Sequence, residues 1–508
     1  MIRKCHLHAA ESGRTRMRAT ASKVRAGAIA LAVGLLPGLA SAEPVDQVRR
    51  VISDGRGISA PGCALGVFRD GQTLFFQSSG AANVATARPL NENTLFYAAS
   101  VSKQFTALAI IKLVELGKLD LIDDVHKWIP ELPAYERPIT VQMLMHHTAG
   151  IRDWIGLLTL AGVRDYGKID RHTALDLLYK QKNTNFAPGS RFEYTNGAYL
   201  LLSEIVQRVS GMPFHEFAHQ ALFAPLGMTH TYFIHGSRPT GDNTAHGYAP
   251  VGDGFEVYDV YPVISGSGGL ITTLADFAKY DHDVQVGHKV WTPAAAKIML
   301  TPGTLSDGSK ITSGAPYHVN VGTGLFVGLV EGRYLFGHSG EAGGFSTYYG
   351  NLPDRHLGIA VVCNRSDIEA MEKGWAVIDI LEKTSLSGDQ PGQVKQAPRT
   401  GTREEPSFIA RPDLSGAYIS DELQASYRVT VVNGVSVATI SSPWADPGSA
   451  VASLRLTVKK GGSPKDGPYQ FVDGNGGAHE LALDGDGKGF RVSSGLGSGP
   501  HFKRTEDR

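Results

Sequence analysis

Residues 384–406 read TSLSGDQPGQVKQAPRTGTREEP, a polar run rich in Gly, Pro, Ser and Gln with no apolar periodicity. Such a stretch cannot bury a core and reads as a linker. With 508 residues to place, the chain is long enough for more than one core. The expected organisation is therefore one folded part over residues 43–383, a linker over 384–409, and a second part over 410–508. The second part carries strand signals only. ASYRVTVVNGVSVATI (425–440) alternates apolar and polar residues around Asn433-Gly434, a strong hairpin signal. DGNGG (473–477) and DGDGKG (484–489) separate further short strands, as in a small all-β domain.

The first part mixes signals. CALGVFRDGQTLFFQSSG (63–80) reads as two strands around Asp70-Gly71, and LGIAVVCN (357–364) is the continuous apolar run of a central strand. Residues 100–116 are apolar almost all round, as in a buried helix, and Gly117 ends them. GAYLLLSEIVQRVSG (197–211) is a second helix, again closed by glycine.

Residues 1–42 have the form of a secretory signal: a basic start, the apolar run AGAIALAVGLL (26–36), then Ala40-Ser41-Ala42 for cleavage. The run is short for a bilayer span, and no later stretch is long enough to be one. The expected location is periplasmic or secreted. Removing the segment takes away seven Lys/Arg and one Glu, leaving 42 basic and 48 acidic side chains. That balance argues against nucleic acid as a partner. Of three cysteines, Cys63 and Cys363 stay with the mature chain, either as buried thiols or as a pair, in a compartment that permits disulfides.

Three short motifs carry chemistry. Ser100-Val101-Ser102-Lys103 opens the buried helix. Residues i and i+3 share a helix face, so the Lys103 amine can reach the Ser100 hydroxyl, and burial would lower the amine's pKa toward that of a usable base. An N-terminal serine with a solvated lysine is the bland alternative. FEYTNGAY (192–199) supplies Tyr194 and Asn196, as a proton relay and an orienting amide, or as a packed turn. The Y-x-N spacing recurs at Tyr349-Gly350-Asn351 and has little specificity alone. GHSGEAGGFST (337–347) places His338, Ser339, Gly340 and Glu341 near the end of a strand, where Gly340 permits close approach of a ligand. The backbone N–H groups of Ser100 and Glu341 could then form an oxyanion hole.

S-x-x-K, Y-x-N and His-Ser-Gly in this order resemble the penicillin-recognising serine hydrolases: class C β-lactamases, D-Ala-D-Ala carboxypeptidases, D-aminopeptidases and related esterases. ITVQMLMHHTAGI (139–151), FAPGSRFEYTNGAYLLL (186–202), FAPLGM (223–228) and SGSGGLITTLADFAKY (265–280) extend the likeness over nearly all of 60–383. The resemblance implies an α/β (α+β) serine β-lactamase/transpeptidase-like fold, an antiparallel sheet flanked by helices. LSGAYISDELQASYRVTV (414–431) resembles the small barrel appended to D-aminopeptidase-like members.

By the same resemblance Ser100 is the acylated nucleophile, Lys103 its proton partner and Tyr194 the base or water activator. Asn196 positions Lys103 and substrate, and the strand of His338, Ser339, Gly340 and Glu341 binds the acyl donor. No cofactor or metal is implied. Familiar β-lactamases and carboxypeptidases have lysine at the place of His338, where it holds a substrate carboxylate. Histidine there favours a D-amino-acid peptide, amide or ester over β-lactams and free C-terminal carboxylates. Partners are then a small-molecule or peptide acyl donor, with peptidoglycan fragments as a further candidate. A β-lactamase, a D-Ala-D-Ala carboxypeptidase and a non-turnover sensor stand as alternatives. In the family the first strand lies antiparallel beside the last, which would pair Cys63 with Cys363.

HEFAH (215–219) matches the zinc-peptidase pattern H-E-x-x-H. It is boxed in by SGMPF and APLGM, and Phe214, Phe217, Ala218 and Leu222 read as its core side. His146-His147 is a second histidine cluster, in a loop where a structural role is expected.

Overall fold

The structure is a computed structural model. It describes residues 42–163, 165–313 and 319–385, and, in the C-terminal part, 408–445, 453–463, 467–472, 478–485, 488–493 and 499–505. Nearly all of the expected signal segment, and residues 386–407 of the expected linker, lie outside these residues.

After a helix α1 (Ala42–Ile52), strands β1 (Cys63–Arg69) and β2 (Gln72–Ser79) form the first hairpin. Asp70 and Gly71 turn it with φ of 51° and 69°, the left-handed pair that a two-residue hairpin requires. The helical region follows, with α2 (Ser102–Glu115), α3 (Trp154–Leu160) and α4 (Asn196–Ser210). The chain returns to the sheet through β3 (Asn320–Val321), β4 (Phe326–Val330), β5 (Arg333–Ala342), β6 (Phe345–Leu352) and β7 (Leu357–Cys363). Helix α5 (Ala370–Ser385) closes this part.

The seven strands run in the order β3-β4-β5-β6-β7-β1-β2, all antiparallel. Strand β7 is buried at every residue because both faces of the sheet are covered. On one face Val48 and Ile52 of α1 and Val377, Ile378 and Leu381 of α5 pack on Leu65, Val67, Ile359 and Val361. On the other, the helical region packs on Ala64, Phe68, Ala360 and Val362.

The register puts Cys63 opposite Cys363, and the two form a disulfide. Between buried thiols and a pair, the structure decides for the pair.

The C-terminal strands β8 (Gly416–Ser420), β9 (Ala425–Val432), β10 (Val435–Ser441), β11 (Ser453–Ser463), β12 (Gly467–Val472), β13 (Ala478–Leu483), β14 (Gly489–Ser493) and β15 (His501–Arg504) close in sequence order into a barrel. Its interior holds Tyr418, Tyr427, Phe471, Phe490 and Phe502, with the Tyr427 and Phe502 ring centroids 4.1 Å apart. Asn433 and Gly434 turn the β9–β10 hairpin at φ 49° and 76°. The barrel is docked on the first part: the Tyr427 hydroxyl donates to Leu160 O at 2.6 Å and Ser442 Oγ to Ala161 O at 2.6 Å.

Candidate active site

Ser100 sits two residues before the helix expected to carry it. Ala99–Val101 form a 3₁₀ turn and α2 begins at Ser102. Ala99 has φ 46°, a left-handed backbone that a non-glycine residue adopts at a cost, immediately before the serine. Opposite lies β5. A Cβ built on Gly340 would fall 2.6 Å from Ala98 O and 2.7 Å from Ser100 N. Only glycine lets the strand approach the turn this closely. Ser339 and Glu341 flank Gly340, pairing with Tyr348 and Ser346 of β6.

Lys103 is fully buried at the first turn of α2. Its Nζ has three oxygen neighbours: Ser267 O at 2.7 Å, Asn196 Oδ1 at 2.9 Å and Ser100 Oγ at 3.0 Å. Burial lowers its pKa to about 7, opposed by the charge of Asp153. A neutral amine has two N–H donors and one lone pair. Ser267 O and Asn196 Oδ1 can only accept, so they take both N–H groups. The lone pair is left facing the Ser100 hydroxyl, the one neighbour with a proton to give.

Asn196 is the first residue of α4 and is held from behind. Its N and Nδ2 donate to Asp153 Oδ2 at 2.6 and 2.9 Å, while Asp153 Oδ1 caps α3 through Gly156 N. The amide is thus fixed with its oxygen toward Lys103. Tyr194 hydrogen-bonds Ser100, and burial, outweighing that bond, holds its pKa above the ordinary phenol range. The resting group is a neutral phenol. The sequence reading of Tyr194 as a base needs a phenolate; this environment opposes one, and the low-pKa amine beside Ser100 is Lys103.

His338 reaches the same site from β5, its ring 5.9 Å from that of Tyr194. Its Nδ1 contacts Ser339 O. Burial first, then the charge of Lys103, drive its pKa down to about 3, so it is a neutral imidazole. Beside Tyr194 a cavity of about 650 Å³ opens, lined among others by Leu157, Phe192 and Ile311 and, from the barrel, by Gly499 and Pro500.

Asp153 and Ser267, which escaped the sequence reading, also border the site, as does His147, for which a structural role was expected. Asp153 follows HHTAGIR as an ordinary cap residue. Ser267 contributes a backbone carbonyl, which no side-chain pattern reveals. His147 stacks on Tyr194 at 4.5 Å and accepts from Thr195 N through Nδ1, fixing the Tyr194 ring. His146 lies apart, against Thr323 Oγ1 at 3.1 Å. The HEFAH segment packs Phe214, Phe217, Ala218 and Leu222 into the core, and His215 stacks on His235 at 4.3 Å. Among the described residues no three His, Cys, Asp or Glu side chains gather as a metal site.

Sheet, helices and closed barrel make this a β-lactamase/transpeptidase-like fold with a C-terminal barrel. The Beta-lactamase family model matches residues 48–382, and the chain belongs to that family, a family of serine hydrolases. It is 28% identical over 385 residues to penicillin-binding protein 4* of Bacillus subtilis (strain 168), covering 72% of this chain and 80% of that one. It is 26% identical over 314 residues to a D-aminopeptidase of Cereibacter sphaeroides, covering 60% of this chain and 57% of the relative. In fold it is similar to the octameric penicillin-binding protein homologue of Pyrococcus abyssi, with a TM-score of 0.58 at 22% identity, over 91% of this chain and 98% of that one.

Proposed function

We propose that the chain is an exported serine hydrolase that cleaves an amide or ester bond through an acyl-enzyme on Ser100, with D-amino-acid amides and peptides as preferred donors. The observation that carries the reading is the coordination of Lys103. Two fixed acceptors and a low pKa leave a neutral amine with its lone pair on the Ser100 hydroxyl. Ser100 Oγ attacks the donor carbonyl as its proton passes to Lys103. The developing oxyanion is met by the N–H groups of Ser100 and Glu341. The C–N or C–O bond breaks as the leaving group takes a proton from Lys103 through Tyr194. Water then attacks the acyl ester, gives its proton to the same relay, and Ser100 regains its own.

A neutral His338 offers no fixed cation for a free carboxylate, which supports amide and ester donors over β-lactams and C-terminal carboxylates. Similarity to the D-aminopeptidase supports the D-amino-acid class. The disulfide supports export to an oxidising compartment.

The test is rapid-quench intact-mass analysis of residues 43–508 with a D-amino-acid amide, a short ester, a D-Ala-D-Ala peptide and a penicillin in separate reactions. A transient acyl adduct is expected with the amide and the ester, absent from Ser100→Ala. Lys103→Ala should abolish turnover, and Tyr194→Phe should cut it by about 10²-fold or more. Turnover retained by Ser100→Ala would sink the reading, and a long-lived adduct without turnover would make the protein a sensor.

A further inference from the structure

The barrel reaches the catalytic amine through one buried carboxylate. Glu422 lies in the loop between β8 and β9. Its Oε1 accepts from Arg152 Nη1 at 3.1 Å and from Lys182 N at 3.0 Å, and its Oε2 from His501 N at 3.2 Å. Its carbonyl accepts from Gln181 Nε2 at 2.9 Å, and Gln181 Oε1 accepts from Arg152 Nη1 at 2.6 Å. Both charges are nearly sealed from solvent, with side-chain exposures of 3% and 8%. A buried pair of this kind holds only when its partners are fixed, and loss of either leaves an uncompensated charge.

Arg152 is not a remote anchor. A Cβ built on Gly197 would lie 2.1 Å from Arg152 O, so the first turn of α4 rests on this residue's backbone. The next residue is Asp153, whose carboxylate holds Asn196 by two hydrogen bonds. Trp154 then donates from Nε1 to Ser267 Oγ at 3.4 Å. Both acceptors that orient the Lys103 amine are therefore attached to residues 153 and 154, directly after the residue that the barrel grips.

We propose that Glu422 of the barrel is a positioning residue for the Lys103 base, acting through Arg152, Asp153 and Asn196. The proposal rests on the acyl-enzyme reading of Ser100 and Lys103. The barrel is then part of the working site.

The groups facing Lys103 Nζ are Asp153 and Asn196, the rings of Tyr194 and Tyr199 at 4.7 and 5.7 Å, and His147 and His338. Burial keeps the two phenols protonated and the two imidazoles neutral, which leaves Asp153 as the charge that sustains the ammonium form. Removing Glu422 leaves buried Arg152 without its carboxylate partner and loosens the segment through which Asp153 holds Asn196. Weaker support from Asp153 and Asn196 disfavours the ammonium, so the acid limb of Ser100 reactivity must move to lower pH while its plateau falls.

The experiment follows labelling of Ser100 by an alkyl fluorophosphonate as a function of pH, with the full chain and with thermal unfolding as a check on folding. Wild type must label and Ser100→Ala must not; failure there removes the acyl-enzyme reading and is distinct from failure of the proposal. Glu422→Ala is expected to lower the plateau rate about tenfold and shift the midpoint down by about half a pH unit. Asp153→Asn should shift it in the same direction. Glu422→Gln keeps an accepting oxygen but removes the charge; it should retain most of the plateau rate while shifting the midpoint down by less than Glu422→Ala does, which serves if Glu422→Ala fails to fold. Tyr427→Phe loosens barrel docking at Leu160 without touching Arg152 and should leave the midpoint in place. A wild-type midpoint and plateau in folded Glu422→Ala, a wild-type midpoint in Glu422→Gln where Glu422→Ala does not fold, or an equal shift in Tyr427→Phe, would overturn the proposal.

Discussion

A few ångströms of surroundings change the protonation of ordinary side chains. Burial lowers the pKa of Lys103 to about 7, and two fixed acceptors leave Ser100 as the third neighbour of its amine. Three buried histidines, two at the site and His146 apart from it, cannot take a proton cheaply. Burial lowers His146 to about 4 and His338 to about 3, and drives His147 well down. In the unfolded chain these rings titrate near 6.5. As pH falls below that value the unfolded state binds protons that the folded state refuses, so stability falls with pH through this window. Each ring contributes a loss of about 1.4 kcal/mol per pH unit until its folded pKa is reached. Thermal unfolding between pH 7 and pH 5 should show this slope, and His146→Gln should flatten it by about one ring's share.

At the scale of elements, the site is a meeting of a turn, a helix start and a strand. Two of these are joined by glycine contacts that admit no side chain. Gly340→Ala would place a methyl group 2.6 Å from Ala98 O and 2.7 Å from Ser100 N, against backbone that cannot swing away. The strand and the Ser100 turn must separate, and with them the two N–H groups of the proposed oxyanion hole. Gly340→Ala is expected to lower kcat about 10²-fold, the scale of one lost oxyanion donor, with the protein still folded by circular dichroism. A wild-type kcat would show that β5 does not need this approach. The strand and helix signals for these elements were readable in the chain: β1, β2, β7, α4 and the β9–β10 hairpin lie where apolar pattern and turn residues put them. The 3₁₀ turn at Ala99–Val101 was not, because its left-handed Ala99 is imposed by the strand packed against it and not by any preference of alanine.

Across the whole molecule, a covalent tie joins distant segments of the chain within the sheet. The Cys63–Cys363 bridge spans 300 residues and joins the first strand to the last of the seven-stranded sheet. A closed loop of that size restricts the unfolded chain strongly, and its removal typically costs about 2–5 kcal/mol. Residues 43–508 should show no titratable thiol without reductant. The Cys63→Ala/Cys363→Ala variant should unfold at a temperature lower by several degrees. Two free thiols in the unreduced protein would exclude the bridge.

What the sequence by itself determined was local. Period-two and helical apolar patterns, the Asp70-Gly71 and Asn433-Gly434 turns and the order of three motifs marked the elements, the all-β character of the C-terminal part and the motif residues that the structure brings together. Those signals depend on neighbours a few positions apart, so a linear reading reaches them. The tertiary structure decided the protonation and the aim of each group. Tyr194 is a phenol because of what encloses it, Asp153 matters because α3 starts behind Asn196, and Glu422 meets Arg152 across 270 residues of chain. Desolvation and long-range hydrogen bonds arise only when distant segments exclude water together, and no spacing along the chain encodes them.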